Sequence, residues 1–244
     1  MKLDVLEVPL PGLPAELAGL RIAHLADFHF GVPSPGIRAV ERAVDWVVER
    51  QPDLVVLSGD LLAKARGAAR LRALVERLPP VYAVLGNHDF GDTLDPFSEP
   101  VGEVDLGRGT LLLDEATTLE LRGKRVQLVG VDPRSYMRRR ARPWEFADPD
   151  ADLRILICHF PRIVDTLPEG VFDLVLSGHT HDGQICLPYP GGKVRLAHPW
   201  VPYNRGLYRT PATTLHVSPG LGTTFLPLRF FARPEATELV LRSS

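Results

Sequence analysis

Cysteine is nearly absent from this chain of 244 residues. Cys158 and Cys186 are the only two, both sit in apolar strand-like runs, and no C-x-x-C pattern joins them. A disulfide scaffold is thereby excluded, and two reduced, buried thiols in a cytoplasmic protein are expected. Long apolar runs are missing from the N-terminus as well. Met1 to Asp27 is broken by Asp4, Glu7, Glu16 and Arg21 and by Pro9, Pro11 and Pro14, so neither a signal peptide nor a transmembrane segment is expected there. Nor is there an excess of either charge. With 28 Lys and Arg against 30 Asp and Glu, the formal net charge of -2 carries no strong signal for nucleic-acid binding. Asparagine occurs only at positions 87 and 204 and lysine only at 2, 64, 124 and 193.

What is present suits a globular fold. Hydrophobic residues make up 45% of the chain and charged residues 24%, enough to bury a sizeable core. No linker, low-complexity segment or short-period repeat divides it, so residues 1–244 read as a single domain.

Five apolar runs each deliver a polar cluster. Leu20 to Ala26 reads as a strand ending in Asp27-Phe28-His29, and a helical pattern follows from Ile37 to Gln51, stopped by Pro52. Asp53 to Leu57 ends in Ser58-Gly59-Asp60. A second helix is expected from Arg66 to Leu78, ended by Pro79-Pro80, and Val81 to Leu85 opens into Gly86-Asn87-His88-Asp89. This β-α-β-α-β order calls for parallel strands, beyond whose C-terminal ends ligands bind.

After Asp92 the pattern changes to antiparallel strands at 111–113, 117–121 and 125–131, with Arg122-Gly123-Lys124 as a hairpin turn. An irregular stretch from Asp132 to Asp152 holds Arg134, Arg138, Arg139, Arg140 and Arg142, read as a solvated charged face or a phosphate-binding lid. Leu153 to Cys158 delivers His159. Phe172 to Leu176 delivers Ser177-Gly178-His179-Thr180-His181-Asp182. Short strand-like runs at 184–187, 213–217 and 237–241 complete the chain. Leu226, Leu228, Phe230 and Phe231 are expected to pack in the core, with a lipid or subunit contact as the alternative.

Setting His88 aside, seven nitrogen and oxygen ligands converge on these ends: Asp27, His29, Asp60, Asn87, His159, His179 and His181. One Zn²⁺ takes about four ligands, so seven with one shared suit two ions. Carboxylate, imidazole and amide donors without a thiolate are compatible with Mn, Fe or Zn.

In their order, Asp27-x-His29, Gly59-Asp60, Gly86-Asn87-His88-Asp89, His159 and Gly178-His179-x-His181 resemble the calcineurin-like metallophosphoesterase superfamily. Gly183-Gln184-Ile185, Gly220-Leu221-Gly222-Thr223 and Leu228-Arg229-Phe230-Phe231 extend the likeness to its bacterial YaeI-like branch, which has glycine where this chain has Asp182. The resemblance implies an α/β fold, a four-layer αββα sandwich with two mixed central β-sheets. It implies two divalent metal ions, Mn being favoured for activity in vitro. Asp27, His29 and His181 would hold one ion, Asn87, His159 and His179 the other, and Asp60 would bridge them. It further implies a metal-dependent phosphodiesterase working by in-line attack of a bridging hydroxide, with His88 as acid or transition-state stabiliser. A phosphomonoesterase and a non-catalytic scaffold of the same fold are the alternatives. The expected partner is a small or lipid-linked phosphate ester. The expected location is cytoplasmic, with peripheral contact to a membrane left open, and the oligomeric state is not specified. Asp182 is expected to face solvent, and His24, His198 and His216 receive no role.

Overall fold

The computed structural model describes residues 1–244. In chain order its elements are β1 (Lys2–Leu10), β2 (Arg21–Leu25), α1 (Gly36–Arg50), β3 (Leu54–Ser58), α2 (Ala68–Val75), β4 (Val81–Val84), β5 (Thr110–Leu111), β6 (Glu115–Leu121) and β7 (Lys124–Gly130). Then come α3 (Pro133–Met137), β8 (Leu153–Ile157), β9 (Leu174–Ser177), β10 (Cys186–Tyr189), β11 (Gly192–Arg195), β12 (Gly206–Arg209), β13 (Thr214–Val217) and β14 (Glu235–Ser243).

These strands form two mixed six-stranded sheets, ordered β1-β14-β2-β3-β4-β5 and β12-β13-β9-β8-β7-β6, plus a two-stranded ribbon of β10 and β11. Within the sheets β2, β3, β4 and β5 run parallel, as do β7, β8, β9 and β13.

The period-2 alternation of each central strand builds the layers. On β3, Leu54 and Val56 enter the core between the sheets, while Val55 and Leu57 turn the other way to meet α1 and α2. On the second sheet, Ile155, Leu174 and Leu176 face inward. Leu156 and Val175 face outward, towards Ile163, Val164 and Phe160. Strands buried on both faces are nearly all apolar, which is why β3 and β9 read as continuous runs and β8 does so apart from the half-buried Arg154 at its start. The architecture is the expected sandwich, with an outer layer on the second sheet reduced to α3 and single 3₁₀ turns.

Several local expectations change. The second helix is shorter than 66–78, with a 3₁₀ turn at Ala65–Gly67 preceding α2. Leu111 is not in an antiparallel meander, because Thr110–Leu111 joins β4 in parallel. The 132–152 stretch contains α3, capped by Asp132 accepting from the Arg134 amide. β1 escapes the sequence reading altogether. It is an edge strand burying only Val8 and Leu10, which gives little alternation and leaves Pro9 tolerable.

Candidate metal centre

Each predicted ligand leaves a strand end and turns sharply. Asp27, His29, Asp60, His179 and His181 all have positive φ, between 50° and 75°. For non-glycine residues that conformation costs about 1–3 kcal/mol each and persists only where the surroundings hold it. Here the loops hold one another. The Asp27 amide donates to Gly59 O at 3.0 Å, the His29 amide to Asp60 O at 3.0 Å, and Gly178 N to His159 O at 3.1 Å. The His88 amide donates to Asp60 Oδ1 at 2.9 Å and the His179 amide to Asp27 Oδ1 at 3.1 Å. Two glycines allow this approach. A Cβ on Gly86 would lie 2.0 Å from Asp60 Oδ1, and one on Gly178 would lie 2.7 Å from Asp27 Oδ2.

The side chains gather into two groups sharing one carboxylate, Asp27, His29, Asp60 and His181 in one, and Asp60, His159 and His179 in the other. His29 Nε2 lies 3.1 Å from His181 Nε2, which is 3.3 Å from Asp27 Oδ1. His159 Nε2 lies 3.2 Å from Asp60 Oδ2 and 3.2 Å from His179 Nδ1. Asn87 adjoins them with its Nδ2 donating to Asp92 O at 3.2 Å, which leaves the buried Oδ1 without a partner. Asp27 Oδ2 is likewise unpartnered.

The electrostatics of this cluster favour a cation. His159 Nδ1 donates to Ser58 O at 2.8 Å, so its Nε2 faces Asp60 and His179 as a lone pair unless it is protonated. Burial disfavours the charged ring, yet the Asp60 carboxylate pushes its pKa up to about 9. A cation between these atoms would remove the same conflict. His29 and His179 are held well below the usual histidine range, chiefly by burial. Buried neutral imidazoles, a shared carboxylate and unpartnered oxygens form a donor set that fits divalent ions, with neither cysteine in the cluster.

His88 lies beside this centre. Its ring packs edge-on against His29 at 4.6 Å, and its Nε2 is 4.0 Å from Asp60 Oδ2. Ser98 Oγ contacts Nδ1 at 2.7 Å and Thr93 Oγ1 contacts Nε2 at 3.2 Å. Asp89 does not orient His88. It accepts from the amides of Leu61, Leu62 and Gly86, tying the Asp60 loop to the Asn87 loop. Burial, with Asp60 nearby, pushes its carboxyl up to about 7.

Three contributors carry no role in the sequence reading. Arg229 lies half-buried behind His181, with Nη2 3.0 Å from His181 Nδ1 and Nη1 2.7 Å from Pro219 O, so the ring's Nε2 is the atom turned to Asp27 and His29. Burial lowers its guanidinium to about 10, which leaves it charged at neutral pH. His198 packs on His179 with ring centroids 4.6 Å apart. Asp182 is buried rather than solvent-facing. Its carboxylate pairs with Lys193 and with Arg195 Nε at 3.1 Å, and Arg205 Nη1 lies 3.7 Å away. The Leu228-Arg229-Phe230-Phe231 motif is the sequence signal for Arg229, the departure from glycine is the signal for Asp182, and His198 has none.

The comparisons agree with this geometry. Residues 20–183 match the family model described as calcineurin-like phosphoesterase. The uncharacterized metallophosphoesterase YkuE of Bacillus subtilis is 28% identical, covering 95% of this chain and 82% of its own length. Phosphodiesterase YaeI of Escherichia coli is 26% identical, covering 92% and 83%. A Danio rerio protein named as a transmembrane protein with a metallophosphoesterase domain is 33% identical over 98% of this chain, which spans 56% of that relative.

Proposed function

The chain belongs to the calcineurin-like phosphoesterase family, and from that premise we propose that it is a phosphodiesterase using two divalent ions. The observation that carries the reading is the pair of ligand groups sharing Asp60, with Asp27 Oδ2 and Asn87 Oδ1 unpartnered beside them. Asp27, His29 and His181 would hold one ion, Asn87 Oδ1, His159 and His179 the other, and Asp60 would serve both. Mn, Fe or Zn suits these donors, and Mn is the first choice for assays. Bound there, such ions supply Lewis acidity and an ionised water near neutral pH.

The protein's own groups do the rest. Asp60 and Asp27 counter the charge of the ions, and Arg229 fixes the plane of His181 from behind. His88, kept in place by Ser98 and Thr93, donates a proton or a hydrogen bond to the leaving oxygen. Ligands come from loops of both sheets, so residues 1–244 act as one domain whose site closes only when both halves fold.

A diester is favoured because the Escherichia coli relative is named a phosphodiesterase. A phosphomonoester is the second reading, and a scaffold role is disfavoured by the filled ligand positions. With added Mn²⁺ the protein should hydrolyse bis(p-nitrophenyl) phosphate faster than p-nitrophenyl phosphate, and Asp60→Ala should abolish both activities. A wild type inert towards both esters, or an Asp60→Ala variant as active as wild type, would overturn the proposal.

A further inference from the structure

Between Asp182 and Glu235 the chain contains no acidic residue, although it carries Lys193, Arg195, Arg205, Arg209, Arg229 and Arg233. Asp182 and Glu235 at its ends pair with Lys193, Arg195 and Arg205, so six cations meet two carboxylates and the segment keeps a net positive charge in a protein of net charge -2. The same segment exposes ten of the fifteen large hydrophobic side chains that lie open to solvent, among them Leu187, Leu196, Trp200, Phe225, Leu226 and Phe231. Trp200 is 91% exposed and Phe231 57%. The expectation that the 226–231 residues pack in the core is therefore reversed.

The ribbon and the 223–231 loop form one surface. The Cys186 amide donates to Phe230 O and the Phe230 amide to Gln184 O, which joins the start of the β10–β11 ribbon to the 223–231 loop. Leu196, Phe225 and Leu226 line one shallow groove. Phe225 and Leu226 also line a neighbouring cavity of about 290 Å³ with Phe97, Lys64 and Arg66. Asp95, on the wall of that cavity, has Oδ2 4.0 Å from His88 Nδ1. On the other side His198, two residues before Trp200, packs on His179. The apolar surface thus borders the metal centre on both sides.

From this we propose that the surface docks on an anionic lipid bilayer, presenting the centre to a phosphoester whose apolar tail stays in the membrane. The substrate class rests on the phosphoesterase reading above, whereas the docking does not. Two features favour lipid over other occupants. Exposed Trp and Phe stand beside Lys193, Arg195 and Arg205, which stay partly open although Asp182 and Glu235 pair with them, and beside the exposed Arg233, which makes no ion pair. This net positive surface complements acyl chains beneath anionic headgroups. Nucleic acid would use the aromatic and basic groups but has nothing to match exposed Leu187, Leu196 and Leu226. The protruding Trp200 also suits insertion better than a flat contact between two copies of this chain.

The test is flotation of the full chain with vesicles of phosphatidylcholine alone or mixed with phosphatidylglycerol. Binding to the mixed vesicles is expected, weakening as salt rises. The Leu187→Ser/Trp200→Ser variant should bind about 100-fold more weakly, since each large apolar side chain left in water loses roughly a factor of ten. Its hydrolysis of soluble bis(p-nitrophenyl) phosphate should match wild type. Failure to bind either vesicle would overturn the proposal. So would equal binding by the variant, a dimer that the variant abolishes, or tighter binding to single-stranded DNA than to mixed vesicles. Loss of diester hydrolysis in the wild type with vesicle binding intact would instead overturn the phosphoesterase reading alone.

Discussion

Asp182 follows His181 directly and anchors the cationic ribbon to the metal loop, so its replacement tests whether that anchor matters. The carboxylate is 1% exposed and meets Lys193, Arg195 and Arg205, whose side chains keep 25%, 33% and 29% exposure. Breaking a fully buried pair costs about 3–5 kcal/mol, and an exposed pair about 0.2–1 kcal/mol. With one buried partner and three partly solvated ones, Asp182→Asn should destabilise by about 2 kcal/mol. Asp182→Gly removes the same charge but also relieves a left-handed backbone at φ 50°, ψ 29°. That relief offsets about 1 kcal/mol, so the glycine variant should be the more stable of the two. Urea unfolding of wild type and both variants measures the three stabilities, and high salt should narrow the gaps. Diester hydrolysis should fall in both variants because the His179–His181 loop loses its brace. An asparagine variant as stable as wild type, or a glycine variant less stable than the asparagine one, would refute the reasoning.

Other outcomes follow from the same geometry. His88→Asn should lower kcat by about 10²–10⁴-fold while leaving the metal content found by elemental analysis unchanged, since His88 stands outside the ligand groups. Asp89→Asn keeps one acceptor oxygen for three amide donors, and should cost about 1–3 kcal/mol in a urea titration. The buried His216, 2.7 Å from His24, is pushed down to about 3 by burial. The unfolded chain takes up its proton near pH 6.5 and the native one does not, so the stability it contributes is full above pH 6.5 and lost as pH falls towards 3. The slope is about 1.4 kcal/mol per pH unit in that window, and unfolding free energies from urea titrations of chelator-treated His216→Phe should depend on pH less steeply by that amount.

The sequence by itself determined the central strands and the residues they deliver. Leu54 to Ser58 and Leu174 to Ser177 are buried on both faces, and Leu153 to Ile157 is so apart from the half-buried Arg154, so their apolar runs are nearly continuous and their ends conspicuous. Asp27, His29, Asp60, Asn87, His88, His159, His179 and His181 could be named because each follows such a run directly. Tertiary structure decided what depends on partners far along the chain. β1 exists because β14, more than two hundred residues away, supplies its hydrogen bonds, and Lys2 to Leu10 alone shows no face to bury. Asp182 looks like a solvated turn residue until the ribbon folds Lys193 and Arg195 over it. Arg229 sits 48 residues after His181 and meets it only when the last loop closes over the site. Leu226 and Phe231 look like core by composition, and only the assembled surface shows nothing covering them. Local pattern reports a side chain's chemistry and the period of its strand. Burial and charge pairing are properties of the whole packed chain, so the candidate ligand residues were legible in advance while their supports and the surface beside them were not.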